Sequence, residues 1–474
     1  MKKNYIFLLF TSLLSLVAFG QIEQVLDIND GASNSAPNNL FVFNGALYFG
    51  ADDSGGTNTP GAVDLGRELW TSDGTAAGTS FVSDLRTGDA SSSPGNFFEL
   101  NGTMYFSANS GAGNVLHSSD GTTAGTIATG GSFVFNPLEL GGLIYYINTT
   151  DANSLYQFDG TTQVKAANSG TDDVQFIGGA FTSLNNKIIG YGETTTDEPT
   201  TGRELYEYDP ATDTYTLILD ISAGNANSGI SNFVSLGTDV YFEATGKVWK
   251  TDGTTAGTTA VAIASTINST SQYFVWNGSL YFEGDDGSND QLWKYDPITD
   301  TVLNVSNITG STATGGNNHD PSDYAAFGGF LYYAGEISDN TSQYLFRTDG
   351  IYSVRLDANI ADIDEIVELN GFLYFEGDDG VTGNELYRLN PATLSIDRVS
   401  FNNVKIYPNP SINQITVDGN FTSPVNYTIS DINGRTVLKG ELTNNTIKHN
   451  LNTGIYLLQL NIENSSITKK IIVN

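Results

Sequence analysis

An all-β fold made of repeated small sheets is predicted by three features of this 474-residue chain. Glycine and aromatic residues are abundant, with 52 Gly, 24 Tyr and 26 Phe, and long helix-forming runs are scarce. A strand-turn-strand unit recurs along most of the sequence. Charge is unevenly spread: residues 21–400 carry 49 acidic and 12 basic side chains, a net of −37, whereas residues 401–474 carry 4 and 6, a net of +2. That change of sign marks a boundary between two domains.

The repeat begins with an apolar strand, a Gly or Asn turn and a second apolar strand. It reads FVFNGALYFGADD from Phe41, FFELNGTMYFSAN from Phe97, PLELGGLIYYINT from Pro137 and FTSLNNKIIGYGE from Phe181. It continues as FVSLGTDVYFEAT from Phe233, FVWNGSLYFEGDD from Phe274, AAFGGFLYYAGEI from Ala325 and IVELNGFLYFEGDD from Ile366. A second hairpin follows, as in RELWTSDGTAAGT from Arg67, VLHSSDGTTAGT from Val115 and KVWKTDGTTAGT from Lys247. In RELYEYDPATDTYTL from Arg203 and QLWKYDPITDTVL from Gln291 the turn is Asp-Pro instead. Asp-Gly supplies positive φ for a short hairpin, and Asp-Pro presets a longer one.

Each unit thus holds four strands. Continuous apolar runs such as Leu-Tyr-Phe predict sheets buried on both faces. Four-stranded repeats of this length, stacked face to face and closed in a ring, predict a β-propeller. Eight copies predict eight blades, or seven if an atypical copy drops out; Asn185 and Asn186 mark the weakest copy. The segment EQVLDI from Glu23 resembles the final strands of other units, so an N-terminal strand is expected to complete the last blade, beside or in place of SIDRVS from Ser395. The ELW-x-x-DGT-x-x-GT pattern resembles the ELWxxDGT repeat of secreted bacterial proteins, also described as hyalin-like. That resemblance implies a structural unit and brings no catalytic residues.

Both ends point to export. Lys2 and Lys3 precede an apolar run from Tyr5 to Phe19 that ends in Ala18-Phe19-Gly20, the pattern of a cleavable secretory signal over residues 1–20. The run is shorter than the roughly 20 residues of a membrane span, and no later segment qualifies. Without cysteine the chain can hold neither a disulfide nor a lipidated cysteine. From Val404 the pattern changes to short alternating strands, enough for a small β-sandwich over residues 404–474. These blocks resemble the type A C-terminal sorting domain of type IX secretion substrates. The matching residues are Tyr407, Pro408, Asn409 and Pro410; Asp431, Gly434 and Arg435; Gly454 and Tyr456; and Lys469 and Lys470. The resemblance implies passage through the type IX machinery to the cell surface or medium, with these residues as fold and recognition determinants.

Catalytic constellations are poorly represented. His117, His319 and His449 are scattered, which leaves a zinc site or a Ser-His-Asp triad without support. An acidic surface repels nucleic acid and anionic lipid. Trp70, Trp249 and Trp293 share one repeat position and read as blade packing, whereas Trp276 is expected to be freer. Asp285, Asp286 and Asp290, with Asp378 and Asp379, place oxygen ligands beside glycines and are candidate Ca²⁺ ligands. The function expected is a non-catalytic propeller binding glycan, protein or matrix. The alternative is a polysaccharide hydrolase or lyase using Asp and Glu on propeller loops, for which carboxylates from different blades must meet in a pocket.

Overall fold

The computed structural model describes residues 22–474 except 55–56, 167–173, 195–200, 262–266, 268, 286, 288, 307–317, 338–341, 395–403, 419–424, 432–434, 443–444 and 463–464. The expected signal, SIDRVS, Asp286 and Gly434 lie outside the described residues. The chain divides into two compact units, Met1–Thr393 and Leu394–Asn474.

The first unit is a propeller of eight four-stranded blades. Blade 1 shows the plan: Asn38–Phe43, Ala46–Asp52, Arg67–Ser72 and Ser80–Ser83 pair in sequence order, all antiparallel. The first strands of the other blades are Gly95–Leu100, Phe135–Leu140, Val174–Leu184, Ser231–Leu236, Ser269–Trp276, Ser322–Phe327 and Ala361–Leu369. Each first strand touches the first strand of the next blade, and that of blade 8 touches that of blade 1. These strands are therefore the inner ring. Blades 3 and 4 are further joined by one bridge, Ser154 to Gln175, made on the far side of a strand whose whole span Val174–Leu184 also pairs within its own hairpin. The weakest repeat is thus a full blade, and the described residues form eight blades.

Ile22–Leu26 forms the outermost strand of blade 8, antiparallel to Asn384–Leu389. The two ends of the unit close the ring by strand pairing, as the likeness of EQVLDI to other final strands predicts.

Burial on both faces of each sheet follows from the second strands. Leu47, Tyr48 and Phe49 are all buried, as are Leu280, Tyr281 and Phe282. Side chains from adjacent blades merge into shared cores, such as Phe43, Leu69, Val82, Met104 and Phe106 between blades 1 and 2. The Asp-Gly turns complete these seams. Asp73 Oδ1 accepts from Thr75 N at 2.9 Å and Thr75 Oγ1 at 2.7 Å, Thr75 Oγ1 accepts from Gly78 N at 3.1 Å, and the Ser72 and Thr79 hydroxyls meet at 2.7 Å. The same bonds recur around Asp120 and Asp252. Every polar residue of the DGT-x-x-GT pattern is thereby used to fold its own turn.

The second unit is a sandwich of two antiparallel sheets. Lys405–Tyr407, Gln414–Asp418 and Thr446–Lys448 form one; Thr436–Glu441, Asn426–Asp431, Gly454–Ile462 and Ser465–Val473 form the other. Ile415, Val417, Ile429, Ile447, Leu458 and Ile471 lie in its core. Among the described residues no helix is long and apolar enough to cross a membrane.

Candidate functional site at the inner ring

Each inner strand carries a bulge, and the backbone there is left-handed. The residue five positions before the first turn residue has positive φ in seven blades: Asn39, Asn96, Asn136, Asn232, Gln272, Asp323 and Glu365, between 51° and 56°. Blade 4 uses Gly178 and Gly179 instead. Asn and Asp tolerate this region, whereas Gln and Glu enter it at a cost. The two strained positions, Gln272 and Glu365, stand in blades 6 and 8, and strain of this kind clusters at functional sites.

The ring is chemically lopsided. Blades 1, 2, 3, 5 and 6 present amides, while blades 7 and 8 present carboxylates. An open pocket of about 590 Å³ is lined by Gln272, Asp323, Asp362, Ile363, Asp364 and Glu376, with Ser322, Gln343 and Asn384 at its wall. Asp364 is exposed at the mouth of this open pocket, yet partial desolvation by the surrounding side chains, reinforced by the Asp323 carboxyl in hydrogen-bond contact, holds it above the usual carboxylate range. Glu365 and Glu376 are also raised, chiefly by burial. Asn384 Nδ2 donates to Glu376 Oε1 at 2.7 Å, and Glu365 Oε2 accepts from Leu40 N at 2.7 Å. Arg67 faces Glu365 and Glu376, and burial lowers its own affinity for a proton.

A second group adjoins blade 6. Glu283, Asp290 and Asp320 each offer an oxygen within 4.8 Å of the others. Glu283 and Asp290 are both raised, mainly by burial and then by neighbouring carboxylates. Ser271 Oγ donates to Glu283 Oε2 at 2.6 Å.

Of the candidate Ca²⁺ ligands that are described, Asp290 alone joins this group. Asp285 faces Asp290 across the hairpin, and its Oδ1 accepts from Gly287 N at 2.6 Å. Asp378 Oδ1 accepts from Gly380 N at 2.7 Å. Asp379 Oδ1 takes Val381 N and Thr382 N, both at 2.8 Å, and these bonds lower its pKa, that from Thr382 most. Sequence reasoning missed Asp320, Asp323, Asp362, Asp364, Glu365 and Glu376 as a set, although the fixed offset before each turn identifies Asp323 and Glu365.

The histidines and tryptophans line no such pocket. His117 stacks on Phe106 at 5.3 Å. His319 is fully buried, with Nδ1 2.6 Å from Glu336 O and Nε2 2.9 Å from the Tyr333 hydroxyl, and burial pulls it down to about 4. His449 Nε2 lies 3.0 Å from Ser411 Oγ. Trp70 is packed in a blade seam, and Trp276, expected to be freer, is buried against Tyr281.

In the second unit the described sorting-type residues are spread over several strands of the sandwich. Asn409 Nδ2 donates to Lys470 O at 3.0 Å and its Oδ1 accepts from Ile472 N at 2.8 Å, so a side chain pairs with the last strand as a backbone would. The peptide bonds preceding Pro408 and Pro410 are cis. Asp431 binds Arg435 through N–H at 3.0 Å and guanidinium at 3.3 Å. The Tyr456 hydroxyl donates to Asn452 O at 3.0 Å, two residues before Gly454. Tyr407, Lys469 and Lys470 remain exposed.

Residues 405–474 match the secretion system C-terminal sorting domain. This type IX sorting domain makes the chain a secreted or cell-surface protein handled by that machinery. No curated protein matches the chain. Among solved structures it is similar to PorZ, a surface component of the type-IX secretion system of Porphyromonas gingivalis, at 13% identity and TM-score 0.39, covering 93% of this chain and 66% of that one. It is also similar to the β-propeller domain of the Trilobed protease from Pyrococcus furiosus, at 9% identity and TM-score 0.36, covering 63% and 93%. A puromycin-hydrolyzing peptidase of Mycobacterium tuberculosis follows at 10% identity and TM-score 0.44, covering 79% and 59%. The chain therefore spans slightly under two thirds of PorZ and less of the peptidase. At such identities the likeness concerns the fold alone.

Proposed function

We propose that the propeller is a non-catalytic recognition module of the ELWxxDGT-repeat type, exported after removal of residues 1–20, that binds a positively charged group of an extracellular glycan or protein. The observation that carries this is the convergence of Asp323, Asp362, Asp364 and Glu376 from two blades on one open pocket. Carboxylates gathered in one concave pocket attract cations more strongly than the same charges spread over a surface. Ca²⁺ at Glu283, Asp290 and Asp320 is part of the reading, since hard cations take such oxygens. The exposed residues of the sorting domain, Tyr407, Lys469 and Lys470, are its recognition determinants.

Glycan and peptide arrays probed with the full chain test this. Hits should bear amines, weaken with salt, and vanish in Asp364→Asn/Glu376→Gln. Polysaccharide turnover abolished by those substitutions would replace the binding role with the hydrolase one. For Ca²⁺, a thermal melt should shift upward with the ion in wild type and not in Glu283→Gln/Asp290→Asn; no shift in wild type removes the ion from the account.

A further inference from the structure

The left-handed residues of the inner strands do not all serve one end. Around most of the ring their side chains reach the next blade. Asn39 lies against Gly95 of blade 2. Asn96 Oδ1 accepts from Asn136 N of blade 3 at 3.2 Å, and Asn136 Nδ2 donates to Gly179 O of blade 4. Asp323 meets the Asp364 carboxyl of blade 8, and Glu365 Oε2 accepts from Leu40 N of blade 1 at 2.7 Å. In these blades the cost of left-handed backbone is offset by contacts that tie neighbouring blades together.

Blade 6 departs from this pattern. Gln272 has φ of 52°, in a region that a side chain of its length seldom enters. Its side chain is exposed and has no hydrogen-bond partner among the described residues. Instead of bonding to blade 7 it lines the acidic pocket. Asn232 of blade 5, by contrast, turns back to its own Ser231 hydroxyl at 3.0 Å and is no part of that wall. Strain at a pocket wall, with no internal bond to offset it, points to a contact outside the chain.

The rest of the wall narrows the ligand. Asp323, Asp362, Asp364 and Glu376 bring four carboxyls, opposed by Arg67 at Glu376, so a ligand with a single ammonium leaves charge unmatched. Gln343, Asn384 and Ser322 add polar groups that are partly engaged with one another and with Glu376: Ser322 Oγ donates to Gln343 Oε1 at 3.4 Å, and Asn384 Nδ2 to Glu376 Oε1 at 2.7 Å. The apolar residue of the wall is Ile363, and it is only 1% exposed. A lysine-rich peptide carries its ammonium groups on four-carbon apolar stems, for which this wall offers no apolar surface. An amino-sugar polymer also repeats its ammonium groups, but sets hydroxyls beside them.

We propose, resting on the amine-binding reading above, that the pocket takes a polymer of amino sugars with free amines rather than a basic peptide, and that Gln272 is the residue that selects it. The carboxylates hold the ammonium groups, and the Gln272 amide bonds the neighbouring hydroxyls. An amide offers both donors and an acceptor, which suits a hydroxyl whose own role is free to switch. The left-handed backbone of blade 6 is then the cost of holding this amide in the pocket instead of against blade 7.

Calorimetric titrations of the full chain with chitosan oligosaccharide, its fully N-acetylated counterpart and oligolysine of equal charge test this. Chitosan oligosaccharide should bind wild type more tightly than oligolysine. Gln272→Gly should weaken the chitosan oligosaccharide roughly three- to tenfold, the scale of one lost hydrogen bond, and leave oligolysine unchanged. The urea midpoint of this variant should not fall, since glycine accepts left-handed backbone; weaker binding is then not loss of the fold. Gln272→Asn, the residue that blades 1, 2, 3 and 5 carry here, is a second variant and should weaken binding likewise, its amide being one methylene shorter. Asn232→Gly makes the same change one blade away and should bind as wild type does. Chitosan affinity unchanged in both Gln272 variants, or oligolysine bound as tightly as chitosan oligosaccharide, overturns this proposal and leaves amine recognition standing. Equal binding of the N-acetylated oligomer, or binding of none of the three, overturns amine recognition itself and this proposal with it.

Discussion

Substituting alanine for Gly74 asks whether the Asp-Gly turns are shaped by the neighbouring blade or only by their own hairpins. Gly74 has φ of +91°, and an added Cβ would fall on the Tyr374 hydroxyl of blade 8. Left-handed backbone costs alanine about 1–2 kcal/mol. Displacing a ring in a packed seam adds about 1–3 kcal/mol, for a total of about 2–5 kcal/mol. Gly45 is the control: its φ is +78°, and nothing lies within 4 Å of its added Cβ. Gly45→Ala should therefore lose only the backbone part, about 1–2 kcal/mol. Tyr374→Phe in the Gly74→Ala background should recover only part of the loss, since it removes the nearest colliding atom but leaves ring Cζ 2.7 Å from the added Cβ, and Arg388 then loses its bond to that hydroxyl. Urea unfolding midpoints of the full chain measure all three. If Gly74→Ala is no more destabilising than Gly45→Ala, the seam does not shape the turn and the account of the motif is wrong.

Three further outcomes are expected. Asn409→Ala removes both side-chain bonds to the last strand, at about 1–3 kcal/mol; hydrogen exchange should quicken at Ile472 while the propeller's protection is unchanged, and export should fall. His319, with its folded pKa lowered to about 4, stays neutral in the folded state while the unfolded chain gains a proton. Stability from this group is present above about pH 6.5 and lost as pH falls towards 4, by about 3 kcal/mol; His319→Gln should flatten that acid limb in pH-dependent melts. Trp276→Ala should cost about 3–5 kcal/mol as a buried aromatic, and a loss under about 0.5 kcal/mol, the scale of surface substitutions, would restore it to the surface.

The blade frame was legible because it is local. Turn residues, apolar runs and the Asp-Gly motif lie within about 40 residues of one another, and the N-terminal strand resembles the final strands of other blades. The sorting domain was legible from its three sequence blocks, and residues 405–474 match that family; that Asn409 would pair with Lys470 and Ile472, about 60 residues on, is visible only in the fold. The pocket was not, because ring closure decides which residues meet. Glu283 reaches Asp320, and Asp323 reaches Asp364, across blade boundaries that no sequence period announces. Asp378 and Asp379 attracted attention through local density of charge, yet those carboxylates cap the amides of their own loop. Trp276 looked exposed beside its turn until the next blade is included: Gly350 of blade 7 sits against its ring.

Calorimetric titration of the full chain with oligolysine and with chitosan oligosaccharide, at low and high salt, tests the central claim most directly. At least one of these amine-bearing probes should bind wild type, more tightly as pH rises and Asp364 gives up its proton. The affinity should fall roughly tenfold or more when Asp323, Asp364 and Glu376 are made amides, since each desolvated charge contact is worth about 1–3 kcal/mol. Binding that is absent in wild type, or equal in the amide variant, contradicts recognition at the acidic pocket.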